Sequence, residues 1–272
     1  IHRSGLMHWR TFALLLLLAP SIGAMEAVER TNPEDLTRLT FARIEYDSVG
    51  GMGEAYYQFE GRIWARWETD YPQAEHNFAK RLQQLTRIRA SENPVRRRFD
   101  APDLGDYPLL FMSDVGYLRF SDEEAQALGT YLKNGGFLWA DDFWGDAEWS
   151  SFERLMRAAL PGVRWREVPL EHPIFHTVFD MDEMPQIPAH SFANRVTTVE
   201  PYWMHRYPAG SLEHPSMRGF FDEQGRLMAI GTHNTDIADG WEREAYGQWY
   251  FERFSTLSYR LGVNVLTYVL TH

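Results

Sequence analysis

Short apolar runs alternate with segments of helical periodicity from Phe41 onward, which is the pattern of an α/β sheet. Phe41–Tyr46 reads as a first strand. Gly50, Gly51 and Gly53 then form a glycine-rich loop that leads into an aromatic stretch. Pro72 opens a helix over 74–90, with Phe78, Leu82, Leu85 and Ile88 on one face. Pro108–Met112 is a second, buried strand. Ser121 and Glu124 have capping-box spacing ahead of a helix carrying Ala125, Leu128 and Leu132, which stops at Asn134-Gly135-Gly136. Phe137–Ala140 is the next strand. A helix over 149–160 and a short strand over 163–168 follow.

Residues 169–215 are rich in proline and histidine and weakly periodic, so they read as a loop insertion over one end of the sheet. Phe220-Phe221 and Leu227–Ile230 flank the turn residues Asp222–Gly225 as an added hairpin. A long helix over 246–270 closes the chain, with Phe251, Phe254, Leu257, Leu261, Val265 and Val269 at helical spacing. The pattern predicts one α/β domain over 40–272, preceded by a linker over 25–39.

The first 24 residues read differently. Arg10 precedes the apolar run Thr11–Ala19, Pro20 breaks it, and Ile22-Gly23-Ala24 supplies small residues for cleavage. This is the pattern of an export signal over 1–24, with Met7 offering a start that would leave Ile1–Leu6 untranslated. About ten apolar residues are too few to cross a bilayer, which takes about 20. The expected address is periplasmic or secreted, with no transmembrane span in the mature chain.

Charge narrows the partners. The 272 residues carry a net charge of −11, and Lys80 and Lys133 are the only lysines. Nucleic acid is excluded as an expected partner, because phosphate backbones need a basic face. The one dense basic cluster, Arg96, Arg97 and Arg98, reads as a solvated strand edge or an anion clamp. The chain has no cysteine, which removes disulfides, thiolate metal sites and a thiol nucleophile.

Four of the expected strands run into acids: Tyr46-Asp47, Ser113-Asp114, Asp141-Asp142, and Ile230 on towards Asn234-Thr235-Asp236. In open α/β sheets ligands bind beyond the carboxyl ends of the strands. Acids converging there suit a divalent cation with oxygen ligands, a sugar, or a pair of carboxylates in acid–base work. Loop turns and helix caps also favour Asp, so each acid has a purely structural reading too.

Asp141 and Asp142 are the catalytic candidates and, with Asp236, the metal candidates. The binding candidates are Asp70, Tyr71, Asp114, Trp144, His172, His233, Asn234, Asp236, Asp239, Trp241 and Glu242. Trp144 and Trp241 are expected to stack on a ligand, with Asp70, Tyr71, His172 and Asn234 at the rim. Asn234–Glu242 reads either as a metal-ligating segment or as a capped turn entering the last helix. Trp64–Pro72 reads either as an aromatic and acidic sugar platform or as the entry to a helix. His190 and His205 read as structural, and Ser191 and Ser211 lack the surroundings of a hydrolase nucleophile.

Several stretches together resemble a bacterial family, the domain of unknown function 4159: FARIEYD at 41–47, WETDYPQAEHN at 67–77, YPLLFMSD at 107–114, YLKNGGFLWADDFWG at 131–145, HPIFHTVF at 172–179, NTDIADGWE at 234–242 and LGVNVLTY at 261–268. The Gly-Gly-strand and His-Pro-Ile elements are also similar to the ThuA-like branch of the class I glutamine amidotransferase-like fold. That resemblance implies a flavodoxin-like, three-layer parallel sheet flanked by helices. In active members of that wider fold, the strand matching Leu138–Asp142 ends at a turn bearing a cysteine. Aspartates stand there in this chain, so glutaminase chemistry is excluded. The resulting expectation is an exported protein binding a small polar, carbohydrate-like molecule. A carboxylate-dependent or metal-assisted hydrolase of envelope or plant-derived sugars, and a non-catalytic component of a cell-envelope complex with protein partners, are the alternatives.

Overall fold

The computed structural model describes residues 38–188 and 214–272. The expected export signal, most of the linker, and His190, Ser191, His205 and Ser211 lie outside the described residues. In chain order the strands are β1 (Ala42–Ile44), β2 (Asp47–Ser48), β3 (Tyr56–Phe59), β4 (Arg62–Ala65), β5 (Val95–Arg97), β6 (Leu109–Ser113), β7 (Leu118–Arg119), β8 (Phe137–Phe143), β9 (Trp165–Glu167), β10 (Ser216–Phe221) and β11 (Leu227–His233). Helices α1 (Gln73–Leu85), α2 (Asp122–Lys133) and α3 (Gly145–Ala159) lie between them, and α4 (Ile237–Glu242) follows β11. A short helix at Gln248–Tyr250 and a π turn at Phe251–Ser255 lead into α5 (Thr256–Thr271).

Seven strands form the central sheet in the order β5-β1-β6-β8-β11-β10-β9. The first five of these are parallel, while β10 runs antiparallel to both β11 and β9. Counted in sequence, the parallel strands stand second, first, third, fourth and fifth, which is the flavodoxin-like order. Their side chains alternate between two buried layers. Leu109, Phe111, Phe137 and Trp139 join Phe78, Leu82, Trp241, Leu261 and Val265 on the α1, α4 and α5 side. Leu110, Met112, Leu138 and Ala140 join Leu128, Leu132, Phe152 and Leu155 on the α2 and α3 side. No helix among the described residues is long and apolar enough to cross a membrane.

The expected elements recur with shifted ends. The capping box forms as read, with the Glu124 backbone N–H donating to Ser121 Oγ at 3.1 Å and the Ser121 N–H to Glu124 Oε2 at 2.9 Å. Helix α1 stops at Leu85, short of residue 90, because Thr86 turns extended at φ −136° and its hydroxyl accepts from the Ile88 N–H. Helix α3 starts four residues before Trp149, at Gly145, whose φ of +68° a glycine accommodates. Arg96 and Arg97 lie on the edge strand β5, and Arg96, Arg97 and Arg98 pair with Glu45, Asp103 and with Asp47 and Glu124 in turn. The cluster thus sits on a strand edge, as the first of its two readings had it, and local acids engage it in place of an anion. The hairpin β3–β4 went unread within the aromatic stretch; its turn, Glu60-Gly61, has φ of +50° and +78°.

A charged residue sits inside the first strand. Arg43 on β1 is fully buried, and its Nε donates to Glu75 of α1 at 2.6 Å. Its Nη1 donates to the carbonyls of Trp67 at 3.1 Å and Thr69 at 2.6 Å. Replacing Glu75 by Ala should strand that guanidinium and lower stability by about 3–5 kcal/mol in urea unfolding. The apolar pair Arg43→Met with Glu75→Leu should recover only part of the loss, because the Trp67 and Thr69 carbonyls then lack their donor.

Candidate functional site

The acids gather at the carboxyl ends of the strands because the chain turns sharply there in a particular way. Asp70, Asp114, Asp142 and Asn234 are all left-handed, with φ of +65°, +56°, +53° and +60°. Asp and Asn tolerate this conformation better than other side chains, yet each such residue stores strain, which surrounding contacts must hold.

Three of the four are held by their own side chains. Asp114 Oδ2 accepts from Arg66 Nη1 at 2.7 Å and from the Thr69 hydroxyl at 3.2 Å. Asn234 Oδ1 accepts from the Gly145 N–H at 2.9 Å, and its Nδ2 donates to the His214 carbonyl at 3.1 Å. Asp142 Oδ1 accepts from Trp144 Nε1 at 2.9 Å. Asp70 is held by its backbone instead. Arg43 grips the carbonyls of the residues before it, and its own carbonyl accepts the Ala74 N–H at 2.9 Å as α1 begins. Its carboxylate has one long contact, from Ser113 Oγ at 3.4 Å.

Helix α4 brings the remaining acids. Asp236 caps it, accepting from the Asp239 N–H at 2.9 Å. Asp239 and Glu242 lie three and six residues on, which puts them on the same face of a helix. Arg243 Nε reaches both, at 3.2 Å from Asp239 Oδ1 and 2.6 Å from Glu242 Oε2. Two groups of carboxylates result. Asp70, Asp142 and Asp236 each offer an oxygen within 4.8 Å of the others, and so do Asp70, Asp239 and Glu242. Asp70 belongs to both. Oxygens bound to one calcium-like ion at about 2.4 Å can be at most about 4.8 Å apart, so either group spans one hard cation.

The crowding has an electrostatic signature. Burial, then the charges of Glu242, Asp239 and Asp142, push Asp70 well above the ordinary carboxylate range. Burial and Asp114 do the same to Asp142, and burial, Asp142 and Asp70 to Asp236. Glu242 is pushed up to about 8 by burial and by Asp239. A site that disfavours its own ionisation this strongly is complementary to positive charge, or to ligand hydroxyls that donate to carboxylates.

Other candidates fall outside this pit. Asp141 lies within β8 rather than beyond it. It is fully buried, with Oδ1 accepting from the Thr232 hydroxyl and Oδ2 from the Ala238 N–H at 2.8 Å. With both oxygens engaged it ties α4 to the sheet and belongs to neither carboxylate group. Burial pushes it up to about 7, against those hydrogen bonds.

The two tryptophans expected to stack on a ligand are buried instead. Trp241 is 2% exposed and stacks on Phe78 at 4.4 Å, and Trp144 is 6% exposed with its indole N–H on Asp142. Tyr71 lies against Trp67 and under the Arg43 guanidinium. His172 caps a turn by accepting the Ile174 N–H, and its ring meets Phe221. Phe221 pairs with Leu227 at the start of β11, so His172 is at the far end of the strand from Asn234. His233 is buried on the α3 side, its ring against Phe143 and Trp149.

Sequence reading missed the residues that hold the pit. Arg43 was signalled only by a lone charge inside an apolar strand. Tyr46 donates its hydroxyl to the Asp114 carbonyl at 2.8 Å, and Arg243 follows the acids it pairs with. A family model described as a domain of unknown function (DUF4159) matches residues 40–270. No curated protein matches the chain.

Carboxyls raised by folding give an inverted pH dependence. Above about pH 4 the unfolded carboxyls ionise while the folded site keeps its protons, so stability falls with rising pH through about 7 for Asp141 and about 8 for Glu242. His233, held down at about 4 by burial, opposes this only below its unfolded value near 6.5. Without divalent cations, the melting temperature should therefore rise by about 2–5 °C from pH 8 to pH 6.5. Asp142→Asn should raise it at pH 8 and flatten the slope, whereas Asp141→Ala should destabilise the fold by about 1–3 kcal/mol.

Proposed function

We propose that this chain, which belongs to the DUF4159 family, is an exported binding protein whose acidic pit takes a divalent cation and, with it, a small hydroxyl-rich, carbohydrate-like ligand. The observation that carries the reading is the sharing of Asp70 between two groups of carboxylates whose oxygens lie within 4.8 Å. A hard cation would replace the protons that the crowded acids otherwise retain. The donor set is all oxygen, which suits calcium, magnesium or manganese rather than softer metals.

The ligand part of the proposal rests on the rim. Phe59 is 37% exposed and Tyr246 49% exposed, and Arg243 lies 5.4 Å and 4.9 Å from their rings. Arg243 also contacts Asp239 and Glu242. Exposed aromatic faces beside carboxylates suit a sugar, which stacks by its C–H face and donates through its hydroxyls. The amidotransferase-like assignment is part of the same proposal. It is supported by the strand order and by the left-handed Asp142 at the corner where that fold carries its nucleophile. Without a thiol, that corner binds rather than forms an acyl intermediate.

A carboxylate-dependent glycosidase is the second reading. One oxygen of each acid lies within 4.8 Å of the others, which is closer to the separation of about 5 Å that retaining enzymes use than to the roughly 6.5–9.5 Å of inverting ones. Release of nitrophenol from aryl glycosides by the wild type, abolished in Asp142→Ala, would favour it over simple binding.

For the leading reading, calcium, magnesium or manganese at about 100 times its Kd should raise the melting temperature by about 5–10 °C at pH 7.5. Asp70→Asn should remove most of that shift. A saccharide panel titrated by calorimetry with and without the cation then reads the ligand. Identical melting in chelator and in each divalent salt would end the proposal.

A further inference from the structure

A second set of polar groups lacks partners on the other side of the sheet, at the face that β10 and β11 present to α3. Ser216 and His233 are paired across these strands, and Arg218 lies two residues along the same face from Ser216. The Arg218 guanidinium sits 4.5 Å from the ring of Trp149 on α3 and 4.5 Å from that of Trp165 on β9. The two indoles meet at 76°, so the guanidinium occupies the angle between them. It is half-buried, and no hydrogen bond or ion pair ties it to a described residue. Its nitrogens are not sealed from solvent.

Three further groups in this corner are buried without a partner: Ser216 Oγ, Trp149 Nε1 and His233 Nδ1. They are three of the ten such side-chain atoms among the described residues, a concentration that points to a missing partner. Their chemistry says which kind. His233 Nε2 lies 3.0 Å from the Gly145 carbonyl, an acceptor, so that nitrogen carries the proton. Burial and the nearby Arg218 charge keep the ring neutral, which leaves Nδ1 an acceptor. Arg218 and Trp149 can only donate, and Ser216 does either.

We propose that this corner binds a phosphoryl group, as free phosphate or a phosphate monoester. Its oxyanions meet the planar guanidinium fork, which reaches solvent; once the sealed side chains part to admit it, the indole N–H donates to it and its P–OH donates to His233 Nδ1. A simple carboxylate has no proton to give that nitrogen. The indole walls strengthen the guanidinium's contacts by excluding water on two sides. Asp146, Glu167 and Glu153 contribute negative potential at Arg218 without closing on it, which favours a monoanion over more highly charged ions. This site is independent of the acidic pit.

Calorimetric titration at pH 5.5, where both phosphate probes are mainly monoanions, and at constant ionic strength tests it, with inorganic phosphate, phenyl phosphate and acetate as separate probes. Saturable binding of either phosphate, with acetate at least about tenfold weaker, is the expected result. Binding of inorganic phosphate alone marks the free ion as the ligand, and binding of phenyl phosphate marks a monoester. Arg218→Gln should weaken the phosphate probe by about tenfold or more, because a charge-assisted fork is lost. Ser216→Ala, the milder change, should weaken it by about threefold with the melting temperature in chloride preserved. Absence of saturable phosphate binding, acetate binding as tightly as phosphate, or undiminished binding in folded Arg218→Gln or Ser216→Ala would overturn the proposal.

Discussion

A carboxylate with no solvent contact, Asp141, decides where the other acids lie. One oxygen takes the hydroxyl of Thr232 on β11, and the other takes the amide of Ala238 in the first turn of α4. Trp139, two residues earlier on the same face, donates its indole N–H to the same Thr232 hydroxyl at 2.9 Å. Strands β8 and β11 and the start of α4 are thus locked by one polar network inside an apolar layer. A helix N-terminus is complementary to negative charge, which offsets part of the cost of burying it. Because α4 is drawn down onto the strand ends, Asp236, Asp239 and Glu242 must face the turn that carries Asp70.

Like charges in that pit raise one another, and the positive charges nearby are arranged around it. Arg243 covers one side through Asp239 and Glu242, and Arg66 holds Asp114 on another. Beneath, Arg43 is spent on Glu75 and on two loop carbonyls, so it shapes the Asp70 turn more than it neutralises the site. Among the described residues, no cation lies in ion-pair contact with Asp70, Asp142 or Asp236. Stability and occupancy are then coupled: what binds the pit also relieves the fold.

The sheet was legible because parallel strands buried on both faces read as continuous apolar runs, and Ser121, Asn134 and Gly135 marked the ends of α2. The acids were legible as a set, since four strands run into them. Their division of labour was not. Asp141 and Asp142 are adjacent in sequence, but Asp141 keeps the pleat and faces the α4 side, while a left-handed turn at Asp142 sends its carboxylate into the pit. Trp144 and Trp241 misled for a related reason: aromatic residues beside acids look alike whether they floor a core or line a cleft. Only the contacts made in the fold, the long-range stacking of Phe78 on Trp241 and the local bond of Trp144 to Asp142, separate the cases. The β3–β4 hairpin was hidden by its Glu60-Gly61 turn, which lacks the Asn or Asp that usually announces one.

The four left-handed residues show which acid is least explained by architecture. Glycine would adopt each of these turns without strain, so a side chain retained there must do something that glycine could not. Asp114 anchors Arg66, Asn234 caps the amide of Gly145, and Asp142 orients the Trp144 indole. Each of those contacts supports the local frame. Asp70 makes no comparable contact: the frame holds its backbone through Arg43, while its carboxylate, beyond the long approach of Ser113, is directed among the other acids. A strained conformation that serves only to aim a carboxylate at like charges is hard to account for by folding alone. It is accounted for if that carboxylate bridges something positive between the strand ends and α4.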